Sequence, residues 1–146
     1  FVAFFPAEKP DSESVLALSS EDLRSVGLSV QKSGYVHNVA TYFKDNKLHH
    51  FDWSVLSDDE IIERLTTIKG VGKWTVEMIL MFTLKRPDIF PIDDLGIQNA
   101  MQSLYSLKGS KKEIKLQMAQ IAQDWKPFRT LACEYLWAWK DDDVMN

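Results

Sequence analysis

Two adjacent aspartates, Asp93 and Asp94, stand where the loop DIFPIDD gives way to a helical pattern, and of all the side chains in this sequence they are the best placed to do chemistry. One aspartate at such a junction caps the helix and needs no other explanation. A second allows a division of labour: one caps, and the other, held against apolar walls, is an anion able to oppose a cationic sugar transition state or activate water. Upstream, Gly70-Val71-Gly72 offers positive φ and close approach to a ligand without a Cβ in the way. A helix opening just after Gly72 points unpaired N–H groups and the positive end of its dipole out of the turn, which suits a phosphate; the same pattern also serves an ordinary helix–turn–helix corner. Trp74 and Trp137 can line a π-rich pocket for a planar, electron-poor or cationic group, or simply pack in a core.

The elements that must position these residues are helical. Ser57-Asp58-Asp59-Glu60 is a capping box opening the helix DEIIERLTT, which runs into the glycine turn. Beyond it Trp74 to Leu84 is apolar on nearly every face and reads as a central helix, stopped at Lys85-Arg86-Pro87. LGIQNAMQSLYSL follows the aspartates, and two more helices are expected at about Lys111–Gln123 and Pro127–Trp139, the latter with Pro127 in its first turn. Before the turn, Ser19 or Ser20 caps EDLRSV, closed by Gly27, and Ser29 caps the amphipathic VQKSGYVHNVATYFKDN. FVAFF reads as the tail of a buried helix stopped by Pro6, AEKPDSES as a loop, and the acidic tail of about 141–146 as disordered. No repeat, low-complexity tract or strand pattern is present, so the fold class is all-α.

Composition narrows the function. A chain of 146 residues, 45% hydrophobic and 26% charged, reads as one globular domain. The single cysteine, Cys133, excludes an intrachain disulfide framework and a four-cysteine metal or iron–sulfur site, and points to a reducing compartment. No apolar run is long enough to span a bilayer and no signal peptide is visible, so a cytosolic protein is expected. His37 has no partner at ligand spacing and reads as a surface or capping residue, and His49 and His50 sit in a polar loop and read as solvated. The net charge of −4 argues against non-specific nucleic-acid binding without excluding a local basic site. The chain starts at Phe1, inside an apolar run, which predicts a preceding segment.

LTTIKGVGKWTVEMIL, FPIDDLGI and WKPFRTLACEYLW, in that order over nearly the whole chain, resemble the helix-hairpin-helix DNA glycosylase superfamily, and within it the 3-methyladenine DNA glycosylase II branch. The resemblance implies a multi-helix bundle with a central apolar helix, one helical domain over 1–146 and a hairpin over about 58–84. It implies a DNA phosphate clamped by backbone amides around Gly70, Val71, Gly72, Lys73 and Thr75. A monovalent cation, K⁺ or Na⁺, commonly aids that clamp, held by main-chain oxygens that match Thr66, Ile68 and Val71; no other cofactor is implied. Such a clamp needs no basic net charge. The family's catalytic aspartate matches Asp94, with Asp93 as its supporting neighbour and Trp74, Trp137 and Met78 as base-pocket residues.

The activity implied is base excision repair of double-stranded DNA: an alkylated purine such as 3-methyladenine or 7-methylguanine is flipped out and its N-glycosidic bond hydrolysed, with Asp94 opposing the oxocarbenium charge. Relatives that also cut the backbone carry a lysine two residues after the second glycine. Here that position is Trp74, and Lys73 is one residue early, about 100° away around the helix, so no lyase is expected. Met78 replaces an aromatic of some relatives. A monomer is implied, in the nucleoid region of a bacterial cytoplasm or in a eukaryotic nucleus. The other readings are a non-catalytic hairpin DNA-binding module and a purely structural helical domain.

Overall fold

A computed structural model describes residues 1–5 and 9–144, with side chains as far as 140. Among the described residues there is no strand, and the α-helices are α1 (Ser12–Ala17), α2 (Ser20–Ser25), α3 (Val30–Asp45), α4 (Asp58–Thr66), α5 (Lys73–Met78), α6 (Leu95–Tyr105), α7 (Lys111–Ile121) and α8 (Arg129–Val144). The fold is all-α, as its composition and periodicity imply. None of these helices is long and apolar enough to cross a membrane. The chain groups into two compact units, Phe1–Gly72 and Lys73–Asn146, with α4 in the first and α5 in the second.

In the first unit, side-chain caps set the helix starts. Ser19 accepts from the Asp22 N–H while Asp22 answers the Ser19 N–H, and Ser57 and Glu60 do the same for α4. Ser29 caps α3 by accepting from the Lys32 N–H. α3 is the spine on which α1 and α2 pack. Phe5, Val15 and Ala40 are buried together, joined by Leu16, Leu18 and Val36. Two expectations fail here. Of the stretch read as a loop, residues 7 and 8 lie outside the described residues, and α1 begins within it at Ser12, because Asp11 and Ser14 form a reciprocal capping box that a serine-rich segment conceals. FVAFF is a 3₁₀ turn over Val2–Phe4 in which only Phe5 is buried, since so short a turn leaves Phe1, Val2 and Phe4 exposed. His37 lies half-buried with its Nε2 bonded to the Leu18 carbonyl at 3.1 Å, a satisfied packing role.

In the second unit α6 packs on α7 and α8 around Ile97, Ala100, Met101, Met118, Ala122, Cys133 and Leu136. The central helix expected over Trp74–Leu84 is α-helical only to Met78 and then takes a π-helical path over Ile79–Thr83. Val76, Leu80 and Met81 are buried along it, whereas Phe82 is exposed. It ends where expected, with Lys85 in the left-handed region and the Arg86 N–H bonded to the Leu80 carbonyl. Pro127 precedes α8 and is not in its first turn, because the chain is still in turns up to Pro127. α8 continues past Trp139 to Val144, so the tail expected to be disordered is helical over 141–144, and 145–146 lie outside the described residues.

Candidate active site

The loop 88–94 ends in a turn closed by the Asp94 N–H on the Pro91 carbonyl at 2.9 Å, which presents Asp94 as the N-cap of α6. Its Oδ1 accepts from the Ile97 N–H at 2.9 Å and from the Trp137 indole N–H at 2.9 Å. Its Oδ2 accepts from the Trp74 indole N–H, again at 2.9 Å. The carboxylate is thus strung between α5 and α8 while it caps α6. Gly96 leaves room for this: a Cβ there would stand 3.0 Å from Trp137 Cδ1 and 3.1 Å from Asp94 Oδ1, tighter than ordinary contact.

Burial pushes the Asp94 carboxyl up, but hydrogen bonds from the Ile97 backbone, Trp137, Trp74 and the Gly96 backbone outweigh it and hold the group below the ordinary aspartate value of 3.8. The side chain is therefore a fixed, half-buried anion at neutral pH. Such a group can face developing positive charge without reorganising.

Asp93 and Asp94 do not divide the labour as their adjacency suggests. The capping aspartate and the candidate catalytic one are the same residue, Asp94. Asp93 is exposed and paired with Lys115 of α7, so it does not join the indole-bound cluster. Both tryptophans do reach the site, as hydrogen-bond donors to the carboxylate. Trp74 is 48% exposed, and Trp137 is half-buried against Phe82, with ring centroids 5.8 Å apart and planes inclined by 34°. Met78, one turn after Trp74, is half-buried.

α8 is held in place at its first turn. Arg129 donates from Nε and one terminal nitrogen to both carboxylate oxygens of Asp88, at 2.6 and 2.8 Å, and also to the Asp88 carbonyl. Thr130 Oγ1 donates to the Arg86 carbonyl and accepts from the Ile89 N–H. These contacts tie the start of the aspartate loop to the helix that delivers Trp137.

The glycine turn lies at the end of the first unit. Val71 N–H bonds to the Ile68 carbonyl at 3.0 Å, and Gly70 has φ +100°, a conformation that favours glycine. Gly72 has ordinary φ and open space around its Cβ position. In the second unit, Lys73 and Thr75 are exposed and follow the turn directly in sequence.

The profile of the HhH-GPD superfamily base excision DNA repair protein matches residues 1–127. The chain belongs to this superfamily. DNA-3-methyladenine glycosylase 1 of Schizosaccharomyces pombe is 37% identical over 129 residues, which are 88% of this chain and 56% of that protein. The structure of S. pombe 3-methyladenine DNA glycosylase (Mag1) in complex with abasic DNA aligns with TM-score 0.73 at 34% identity, covering 94% of this chain and 66% of that one. DNA-3-methyladenine glycosidase from Bacillus halodurans aligns with TM-score 0.75 at 31% identity, covering 95% and 63%. This HhH-GPD chain spans about half the length of the curated relatives it matches.

Several residues of this HhH-GPD site went unread in the sequence. Glu77 is 4% exposed, with Lys73 as its partner at 3.5 Å, and burial holds its carboxyl above the ordinary value, with the Asp93 and Asp94 charges adding to the effect and Lys73 opposing it. The signal was present, since a glutamate inside WTVEMIL breaks an otherwise apolar run. Phe82 reaches Trp137 from the π-helical segment, which no local pattern announces. The cysteine behaves as a buried apolar side chain: desolvation raises Cys133 to about 12, so it is inert as a thiolate.

Proposed function

We propose that this chain is the catalytic core of a monofunctional DNA glycosylase that removes alkylated purines, of the 3-methyladenine and 7-methylguanine kind, from double-stranded DNA. The observation that carries the reading is the Asp94 carboxylate, kept ionised by the indole N–H groups of Trp74 and Trp137 and by the start of α6. The names of its relatives support the substrate class. A purine alkylated at a ring nitrogen is cationic and leaves readily, so the enzyme has mainly to take the base out of the stack and oppose the oxocarbenium charge left on the sugar. Asp94 supplies that charge and orients water. Trp74, Met78 and Trp137 are the residues we assign to the base pocket, the two indole N–H groups being turned to Asp94 and the Trp137 ring meeting Phe82 on one side. Asp93 acts at a distance, through its charge.

The glycine turn grips a phosphate through the amides around Gly70, Gly72, Lys73 and Thr75, while the Val71 N–H closes the turn on the Ile68 carbonyl. The neutral main-chain oxygens of Thr66, Ile68 and Val71 suit a weakly held monovalent cation such as K⁺ or Na⁺, which would add positive charge beside the phosphate. The fit is chemical: neutral oxygens suit a monovalent cation, and the Ile68 carbonyl, which accepts one hydrogen bond from the Val71 N–H at 3.0 Å, keeps a lone pair for it. Trp74 stands where a lyase needs lysine, so no Schiff base forms. The protein works as a monomer inside the cell, where DNA is its substrate.

The test uses duplexes carrying 7-methylguanine or 3-methyladenine. Wild-type protein should release free base, and Asp94→Asn should slow release by roughly a hundredfold or more while still binding an abasic-site duplex. Undiminished release by the Asn variant would remove Asp94 from the chemistry. Binding without any release by wild type would instead make the chain a non-catalytic hairpin module. Borohydride added during turnover should trap no covalent protein–DNA adduct; a trapped adduct would overturn the monofunctional assignment.

A further inference from the structure

The conformation of the glycine turn is not explained by the turn alone. At Gly70, with φ +100°, a Cβ would overlap Cγ, Cδ1 and Cδ2 of Tyr35, so the aromatic ring lies directly against the glycine's α-carbon. One turn further along α3, Asn38 Nδ2 donates to the carbonyl of Lys69 at 2.9 Å. Tyr35 and Asn38 are three residues apart on α3 and so share one face of it. Together they hold consecutive residues, Lys69 through its carbonyl and Gly70 through its α-carbon. The Tyr35 hydroxyl is itself engaged by Gln31, one turn earlier on the same face, which fixes the ring. Both side chains are half-buried, and neither belongs to the α1–α3 core cluster. The Asn38 amide and the Tyr35 ring both meet the turn.

We propose that Tyr35 and Asn38 are positioning residues for DNA-phosphate binding, the face of α3 serving as a template that holds Lys69-Gly70 in the shape that aims the turn's amides outward. The physical argument is preorganisation. A glycine-containing turn is conformationally free in isolation, and amides that must be ordered on binding lose affinity to that ordering. A ring pressed on the glycine and a hydrogen bond to the preceding carbonyl remove that freedom beforehand. The need for glycine at position 70 is thereby double, set by φ and by the ring. This inference rests on the phosphate-binding reading of the turn.

The experiment measures affinity for a duplex with a stable abasic-site analogue by fluorescence anisotropy, and single-turnover base release at saturating DNA, on the full chain. Tyr35→Ala and Asn38→Ala should each weaken binding roughly tenfold, with release at saturation changed far less and helical content by circular dichroism retained. Tyr35→Phe, which keeps the ring, should bind within about twofold of wild type. Wild-type affinity in folded Tyr35→Ala or Asn38→Ala would overturn the role of α3 and leave the phosphate reading standing. If Tyr35→Ala does not fold, Asn38→Ala decides, since it removes one half-buried hydrogen bond and no core side chain. A wild-type protein with no measurable affinity for the duplex would overturn the phosphate reading, and this proposal with it.

Discussion

Asp94 combines tasks that are usually separated. As N-cap it is bound to the backbone of α6, and as an anion it is bound to the indoles of α5 and α8, so protein donors set both its position and its charge. Its folded-state pKa is depressed, so the stability it contributes is present above the ordinary value of 3.8 and is lost as pH falls through the lower folded value. Trp74→Phe removes the donor to Oδ2 and keeps most of the aromatic volume. The Asp94 carboxyl should then titrate at higher pH than in wild type, and acid unfolding should begin at higher pH. Following the Asp94 carboxyl carbon by NMR through the acid range checks this; an unchanged titration would show that the indole does not set the charge.

Among the elements, the first turn of α8 matters most for the site. The Asp88–Arg129 pair is planar and two-pronged, and both side chains are mostly buried, at 21% and 28% exposure, so it is worth more than an exposed ion pair. Arg129→Ala should cost about 2 kcal/mol, read as a lower urea midpoint. Base release should fall with it, because α8 carries Trp137 to Asp94; a destabilised variant with full activity would show that the clamp serves stability alone. The π-helical path after Met78 changes which side chain meets Trp137. An inserted residue advances the face presented by the rest of the helix, and such insertions recur at functional sites. Phe82, on this π-helical path, meets the Trp137 ring with centroids 5.8 Å apart and planes inclined by 34°.

For the molecule as a whole, the acidic balance of −4 fits the proposed DNA binding best if affinity comes chiefly from oriented backbone amides rather than from a broadly basic surface. Each phosphate neutralised by lysine or arginine adds about −0.9 to the slope of log K against log salt. An amide-led grip should therefore give a shallow dependence, with a slope no steeper than about −5, measured by anisotropy from low to moderate salt. A slope approaching about −10 would assign the affinity to side-chain cations instead.

Helix existence and most helix starts could be read from the chain because caps act locally. Ser57 and Glu60, Ser29 and Lys32, Ser19 and Asp22 are three residues apart and need nothing from the rest of the protein. The order of hairpin, aspartate loop and WKPFR segment likewise pointed to the superfamily without coordinates. What the order of residues could not say is how a side chain is used once distant segments meet. That Asp94 rather than Asp93 caps α6, that both indoles turn their N–H groups to it, and that Glu77 is buried beside Lys73 all depend on burial and direction set by packing. So does the use of Tyr35, which reads as one more residue of an amphipathic helix until its ring is found against Gly70, thirty-five positions along the chain. Local rules reach one helical turn; the contacts that shape the glycine turn in one unit and the aspartate cluster in the other span from twenty to more than forty residues, and only the folded chain brings them within hydrogen-bonding distance.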